Sequence, residues 1–205
     1  MREGRLSVNK SALGRRGRSS GPWDASDEAG LMARIARRDV RAFDQLYRAF
    51  HPRLTRFLVT MTRRPPLVEE VLNDTMMVVW NRPERFNGSS RLSTWIFAIA
   101  YRTALSALRR QDQPVEDRDA ERRPADEPGP ERRLSEQQLQ AGLLRALDDL
   151  SADHRAVVDL TYFHEMGYRE IAEIMDCPVD TVKTRMFHAR RHLKRILGGQ
   201  LADWL

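Results

Sequence analysis

Several features are scarce or missing in this chain of 205 residues, and their absence excludes classes of protein. Cys177 is the only cysteine, so no disulfide can form within the chain and nothing indicates an oxidising compartment. No apolar run approaches the roughly 18 residues that a membrane helix needs. The basic first twenty residues lack the apolar segment of a signal peptide. We therefore expect a cytoplasmic protein without membrane insertion.

The residue groups of common enzyme sites are also missing. The chain has no glycine-rich phosphate loop, and its five histidines do not group with carboxylates in a triad or metal motif. His188 and His192 lie four residues apart and Cys177 precedes them, which is half of a zinc site, but a second cysteine is lacking. We predict no catalytic activity, metal or cofactor. Cys177 is expected to fill space in a turn, with redox sensing as the alternative.

What the chain does have is positive charge. Its formal net charge is +6, and 41% of its residues are hydrophobic, enough for real cores. This balance favours an anionic partner such as nucleic acid, although acidic substrates or membranes fit the charge as well.

The basic charge is concentrated near the C-terminus, in a pattern typical of helix-turn-helix. A short apolar-periodic segment from Tyr168 ends at Asp176-Cys177-Pro178, since proline disfavours helix in the residue before it. We predict a second helix that begins after Asp180, whose carboxylate can cap it. That helix carries one apolar stripe and, between Thr181 and Arg195, six cations and no acid. Its size and charge suit the major groove of DNA. The alternative is that its basic face is simply solvated.

The rest of the chain predicts an all-α protein with two small helical domains, an N-terminal helical bundle and a C-terminal four-helix domain with the helix-turn-helix, joined by a flexible linker. We expect a disordered basic tail over residues 1–25, the bundle over 26–111, an acidic proline-rich linker over 112–133 and the C-terminal domain over 134–198. Pro52 should bend or interrupt the second helical segment, and Pro65-Pro66 should end it. Ser151 is a plausible N-cap, and Gly167 provides the turn into the helix-turn-helix.

The linker is long enough to separate two binding modules. Residues 111–133 hold four prolines, eight acids and five arginines. Fully extended, they span roughly 75–80 Å at about 3.3–3.6 Å per residue. Two modules so joined could bind separate sites on one duplex.

These residues resemble a bacterial RNA polymerase sigma factor of the extracytoplasmic-function group. The N-terminal match rests on AFDQLY (Ala42 to Tyr47), VEEVLNDTMMVVW (Val68 to Trp80) and STWIFAIAYRTALSALRR (Ser93 to Arg110), and the C-terminal match on LDDLSADHRAVVDLTYFHEMGYREIAEIMDCPVDTVKTRMFHARRHLK. A stand-alone helix-turn-helix regulator that binds DNA without polymerase is the alternative. It would not require the N-terminal block.

The resemblance implies three functional surfaces. The minus-thirty-five element would be read by Lys183, Thr184, Arg185, Phe187, His188, Arg190 and Arg191. A flipped base of the minus-ten element would enter a loop made of Phe86, Asn87, Gly88, Ser89, Ser90 and Arg91. The clamp coiled coil of core RNA polymerase would be bound by Glu69, Glu70, Asn73 and Asp74.

The resemblance also implies further partners, and a few residues differ from the pattern of the family. Core polymerase would be bound through its flap as well as its clamp, promoter DNA would be bound and melted, and an anti-sigma factor would mask these surfaces. Asp180 replaces a glycine of the family and His188 an arginine, while Arg102 and Ser106 stand where asparagine and aspartate are common. The preferred promoter sequence is therefore not predicted. Trp80 and Trp95 are assigned to core packing, with base stacking as the alternative.

Overall fold

A computed structural model of the protein describes residues 23–112, 147 and 149–197, and within these ranges the chain forms seven α-helices, one 3-10 turn and no strand. The N-terminal half holds α1 (Ala25–Ala36), α2 (Val40–Thr62), α3 (Pro65–Asn81), the 3-10 turn Pro83–Arg85 and α4 (Leu92–Asp112). The C-terminal half holds α5 (Ala152–Tyr162), α6 (Tyr168–Met175) and α7 (Val179–Leu197). The predicted all-α fold with two helical parts is confirmed. The tail before residue 23, the predicted linker from residue 113 onward and residues 134–146 and 148 of the predicted C-terminal domain lie outside the described residues.

Short polar side chains start several of these helices. Asp24 caps α1 by accepting from the N–H groups of Ser26 and Asp27, and Asp39 caps α2 in the same way. The Asp27 N–H and the Ser26 hydroxyl lower the pKa of Asp24, and the Arg34 guanidinium, followed by the Ala42 N–H, lowers the pKa of Asp39. Ser151 caps α5 as predicted, and Glu170 accepts from the Gly167 N–H at the start of α6. Because α1 begins at Ala25, the folded part starts before the boundary we predicted.

The prolines act in two different ways. Pro65 and Pro66 end the preceding segment as predicted and also occupy the first positions of α3, where a missing N–H costs nothing. Pro52 does not interrupt α2, which continues from Val40 to Thr62. Pro52 is exposed, so the carbonyl that loses its donor there can be hydrated. The predicted interruption at Pro52 is therefore wrong.

A buried carboxylate joins the first helix to the fourth. Glu28 on α1 is 3% exposed, and its Oε2 accepts from the backbone N–H of Leu92 at 3.0 Å. Leu92 is the first residue of α4, whose N–H has no partner inside the helix. Glu28 therefore caps α4 from a distance in sequence and fixes the chain where the loop before α4 ends.

The two halves pack against each other. The buried apolar side chains of both halves form one continuous cluster, in which α4 lies against α6 and α2 against α5. This contact explains why α4 is apolar over most of its circumference. α4 faces α2 and α3 on one side and the C-terminal half on the other.

Candidate nucleic-acid interface

Helices α6 and α7 form the predicted helix-turn-helix. α6 ends at Met175, where Asp176 adopts a left-handed conformation with φ of 50° and the Cys177 N–H donates to the Ala172 carbonyl. α7 begins at Val179, not after Asp180 as predicted, because the Pro178 carbonyl accepts from the N–H groups of Thr181 and Val182. The Asp180 carboxylate accepts instead from Lys183 Nζ at 2.8 Å, which lowers the pKa of Asp180.

The two faces of α7 differ sharply in exposure. The apolar stripe Val182, Met186, Ala189 and Leu193 is buried against the C-terminal half. The opposite face is open to solvent, and Phe187 is 61% exposed there although it is a large apolar residue. Five of the predicted minus-thirty-five residues lie on this open face: Lys183, Thr184, Phe187, His188 and Arg191.

Arg185 and Arg190 are placed differently, at the edges of this face. The Arg185 side chain is 24% exposed, and its guanidinium contacts the Asp153 carboxylate at the start of α5, with Nη1 3.7 Å from Cys177 Sγ. Arg190 donates from Nε to the Tyr162 hydroxyl at 3.0 Å. Both arginines therefore join α7 to other parts of the protein in this structure.

Two imidazoles meet at the start of the open face. The rings of His154 on α5 and His188 on α7 lie 6.4 Å apart in an edge-to-face arrangement, and His154 Nδ1 is 2.6 Å from Ser151 Oγ. Burial, the neighbouring His188 and the Arg185 guanidinium lower the pKa of His154.

The loop before α4 presents short polar groups to solvent. Asn87 Oδ1 accepts from the N–H and the hydroxyl of Ser89, which folds the loop into a tight turn. Gly88 has a φ of +72°, a conformation that side-chain-bearing residues rarely adopt, although a Cβ at this position would meet no atom within 4 Å. Asn87, Gly88 and Ser89 are exposed, whereas Phe86 packs on Trp95 at 5.6 Å.

A cleft of about 210 Å³ opens beside this loop, between α3 and α4. Trp95, Ile99, Arg102 and Thr103 line it from α4, together with Val78 and Arg85. Arg85 and Arg102 give the cleft the positive charge that suits a phosphate backbone. The sequence patterns did not predict this cleft. The spacing of Trp95, Ile99 and Arg102 at positions i, i+4 and i+7 was the signal that could have indicated a shared face.

Trp80 and Trp95 are both half-buried. Trp80 packs against Phe43 at 5.0 Å, and the Arg38 guanidinium lies 5.3 Å from its ring centroid. Trp95 packs on Phe86 but also borders the cleft. Packing accounts for Trp80, while Trp95 combines packing with a partly open ring face.

The outer face of α3 is acidic and exposed. All four predicted polymerase-binding residues, Glu69, Glu70, Asn73 and Asp74, are exposed there. Glu70 forms an ion pair with Arg110 at 3.1 Å, and Met77 beside these residues is 53% exposed. No lysine or arginine occurs between Pro65 and Asn81, so this face repels phosphate and suits a cationic protein surface.

Metal-ligating clusters and membrane-spanning helices are absent from the described residues. No group of three or more histidine, cysteine, aspartate or glutamate side chains there could hold a metal ion. No helix in the described ranges is both long enough and apolar enough to cross a membrane.

Comparison with known proteins links the two halves to two family models. Residues 46–113 match the model of sigma-70 region 2, and residues 140–193 match that of sigma-70 region 4. The ECF RNA polymerase sigma factor RpoE of Cereibacter sphaeroides is 32% identical over 174 residues, which cover 84% of this chain and 96% of that protein. The ECF RNA polymerase sigma-E factor of Escherichia coli is 30% identical over 170 residues, covering 78% and 88%.

A solved structure agrees with these sequence relatives. The sigma factor RpoE of Bartonella quintana, crystallised with the anti-sigma factor NepR, superposes with a TM-score of 0.61 at 27% identity. The match covers 77% of this chain and 98% of that one.

Proposed function

The chain belongs to the family of extracytoplasmic-function (ECF) sigma factors of bacterial RNA polymerase, and we propose that its three exposed polar surfaces bind three parts of the initiation complex. As a sigma factor it directs promoter-specific transcription by RNA polymerase. The open face of α7 reads the minus-thirty-five element, the loop of residues 86–91 traps a base of the minus-ten element, and the acidic face of α3 binds core polymerase. The factor itself performs no catalysis and acts in the cytoplasm.

The observation that carries this proposal is the separation of charge between two helices. α7 exposes a basic face over its buried apolar stripe, whereas α3 exposes acids and carries no lysine or arginine. A surface for DNA phosphates must be cationic, and an acidic helix cannot serve that purpose. The two helices therefore suit different partners, DNA for α7 and a basic protein surface for α3.

Residue roles on α7 follow from exposure. The first turns of a recognition helix lie nearest the base edges, which places Lys183, Thr184 and Phe187 there. Phe187 can contact a thymine methyl group, and Lys183 can donate to guanine. Arg191, one turn further along, is suited to a phosphate.

The loop before α4 is suited to holding an extruded base. Extrusion costs a few kcal/mol, so a pocket that is already formed captures an opening event instead of forcing it. The Glu28 cap on Leu92 and the Asn87 turn keep this loop in place before DNA arrives. Exposed Asn and Ser groups can hydrogen-bond the base edge, and the adjacent cationic cleft can receive the strand.

An anti-sigma factor is a further proposed partner. The related RpoE of Bartonella quintana is described in complex with the anti-sigma factor NepR, and the similarity extends over most of both chains. The similarity covers 77% of this chain and 98% of that one, so the surface that a partner of this kind would bind has a counterpart here. Pull-down from the native cell with the tagged protein, followed by mass spectrometry, tests this.

A reconstituted transcription assay tests the three surfaces separately. Glu69→Lys should abolish assembly with core polymerase without unfolding the protein, and Asp44→Lys, which alters an exposed acid on α2, is the control. Asn87→Ala should leave assembly intact but reduce the permanganate reactivity of melted thymines. Lys183→Ala should weaken binding of the upstream duplex. If all three variants assemble, melt and bind as the parent does, the proposed division of surfaces is wrong.

A further inference from the structure

Two histidines from different helices meet beside the open face of α7. The ring centroids of His154 on α5 and His188 on α7 lie 6.4 Å apart. His188 is exposed and His154 is half-buried, so solvent reaches both side chains. The proposed DNA-reading residues include His188 but no residue of α5. The pair therefore extends the candidate DNA surface onto a second helix.

Hydrogen bonds hold the His154 ring from one side only. Its Nδ1 is 2.6 Å from Ser151 Oγ, and this hydroxyl also accepts from the His154 backbone N–H at 3.4 Å. The hydroxyl can therefore donate its own proton to Nδ1, which keeps the ring proton of a neutral imidazole on Nε2. No other group in the described ranges hydrogen-bonds this ring, so Nε2 remains free to donate to a ligand.

Asp153, the acid next to His154 in sequence, is already engaged. Its Oδ1 accepts from the Tyr101 hydroxyl at 2.7 Å, and its Oδ2 contacts the Arg185 guanidinium. Cys177, at the turn before α7, lies against the same guanidinium, with Sγ 3.7 Å from Nη1. Each oxygen of Asp153 thus has a partner, and the imidazole pair needs another anion when it is charged.

His192, one turn beyond His188 on α7, is the third imidazole of this region. Its Nε2 is buried and lies 3.8 Å from Asp149 Oδ2, and its Nδ1 lies 3.4 Å from Arg195 Nη2. Protein groups therefore surround this ring. Arg191, also one turn from His188, is exposed and adds a fixed positive charge to the same face.

Two imidazoles at this spacing suit one phosphate group. A charge-assisted hydrogen bond joins a nitrogen to a phosphate oxygen at about 2.7–2.9 Å, so two rings 6.4 Å apart can both donate to one phosphate. Two protonated rings repel each other, and burial, His188 and Arg185 lower the pKa of His154. A phosphate beside the rings offsets this repulsion, because a nearby negative charge favours the charged form of an imidazole. Phosphate binding and protonation therefore assist each other.

We propose that His154 and His188 together bind one phosphate of the minus-thirty-five DNA and take up protons as they do so. This inference rests on the proposed binding of DNA by the open face of α7. A ring that donates to phosphate keeps its proton to a higher pH than a free ring, so affinity for DNA rises as pH falls from about 8 to about 6. Arginine in place of His188 would lack this dependence, since a guanidinium stays charged.

The pH dependence of DNA binding tests the pair. Fluorescence anisotropy of the full chain with a labelled minus-thirty-five duplex is measured from about pH 8 to about pH 6 at constant salt. Uptake of one proton corresponds to at most a tenfold rise in affinity per pH unit, so we expect roughly 10- to 100-fold tighter binding at the lower pH. Calorimetry of the unmodified chain in two buffers of different ionisation enthalpy counts the protons directly. Binding without proton uptake overturns the inference.

Substitutions identify the two groups. His154→Gln and His188→Gln remove the titratable ring, so each should flatten the pH profile, and the double variant should show none. His188→Arg should bind tightly at both ends of the range. His51→Gln, on α2 and packed on Tyr47, is the matched control and should keep the parent profile. A His154→Gln protein with the parent profile, or an equal change in His51→Gln, contradicts the assignment.

The same measurements separate this inference from the proposed function. If the chain directs promoter-specific transcription but its DNA binding takes up no proton, the imidazole pair is not a phosphate site and the function stands. If neither the parent nor His188→Arg binds the duplex at any pH, the assignment of α7 to the minus-thirty-five element itself fails.

Discussion

Two neighbouring residues of α7 provide a sharp test of its two faces. Met186 is 1% exposed in the buried stripe, whereas Phe187 beside it is 61% exposed on the open face. Both are large apolar residues on the same turn of one helix. Replacement of each by alanine removes most of the side chain, but from opposite environments. The two variants should therefore fail in different assays.

Met186→Ala should destabilise the protein. Truncation of a buried methionine costs about 2–5 kcal/mol, because the lost transfer free energy adds to that of the cavity left behind. Phe187→Ala removes a ring that is already mostly hydrated, and substitutions at such surface positions stay within about 0.5 kcal/mol. Urea unfolding followed by circular dichroism should show a lower midpoint for Met186→Ala only.

DNA binding should rank the same variants in the opposite order. A mismatched base pair costs about 1–3 kcal/mol, or roughly 5- to 150-fold in affinity, and we expect the loss of the Phe187 contact to fall in the same range. At a temperature where both variants are folded, fluorescence anisotropy with a minus-thirty-five duplex should show this loss for Phe187→Ala. Met186→Ala should bind nearly as the parent does. Unchanged binding by Phe187→Ala, with normal stability, would refute the assignment of the open face to DNA.

Four further predictions concern charge, strain and pH. Arg191→Ala should lower DNA affinity uniformly across sequences and reduce the slope of log affinity against log salt by about 1, measured by anisotropy. Arg185→Ala, by contrast, should cost about 1–3 kcal/mol of unfolding free energy, since it leaves the part-buried Asp153 without its cation. Gly88→Ala should destabilise the protein by about 1 kcal/mol through its positive φ and slow promoter opening, measured by thermal unfolding and permanganate footprinting. The pKa of Asp39 is lower in the folded protein than in the unfolded chain, so its carboxylate stabilises the fold above the unfolded pKa. This stabilisation is lost as pH falls through the folded pKa. The Tm difference between the parent and Asp39→Ala should therefore shrink below about pH 4.

Much of the helical pattern could be predicted because it is local. The stripe of Val182, Met186, Ala189 and Leu193 follows from spacing alone, and the break at Pro178 follows from proline geometry. The ends of the helices were predicted less accurately, because several polar groups compete to cap each end. Asp180 illustrates this, since its carboxylate binds Lys183 while the Pro178 carbonyl starts the helix.

The remaining features depend on contacts that are distant in sequence. Glu28 caps Leu92 across 64 positions, and Tyr101 meets Asp153 across 52. No periodic pattern or motif in the sequence indicates that Glu28 would meet Leu92 or that Tyr101 would meet Asp153. For the same reason Arg185, one of six cations on α7 in the sequence, could not be distinguished from the exposed ones until Asp153 was seen beside it.

The resemblance predicted the functional surfaces in advance, and the structure adds which of their members are exposed. All four acidic-face residues of α3 and five of the seven on α7 are open to solvent, whereas Arg185 and Arg190 are engaged with Asp153 and Tyr162. The roles of these residues in binding stay predictions. The cleft at Arg85 and Arg102 is an addition that only the packing of α3 on α4 reveals.

The most direct test of the account is sequencing of transcript starts made by purified core polymerase on genomic DNA, with and without this chain. Addition of the chain should produce a discrete set of starts that share one element near minus ten and another near minus thirty-five. Lys183→Ala should deplete starts with the upstream element, and Asn87→Ala should deplete all of them. A chain that leaves the distribution of starts unchanged, or that binds a specific operator tightly in the absence of polymerase, would contradict the account.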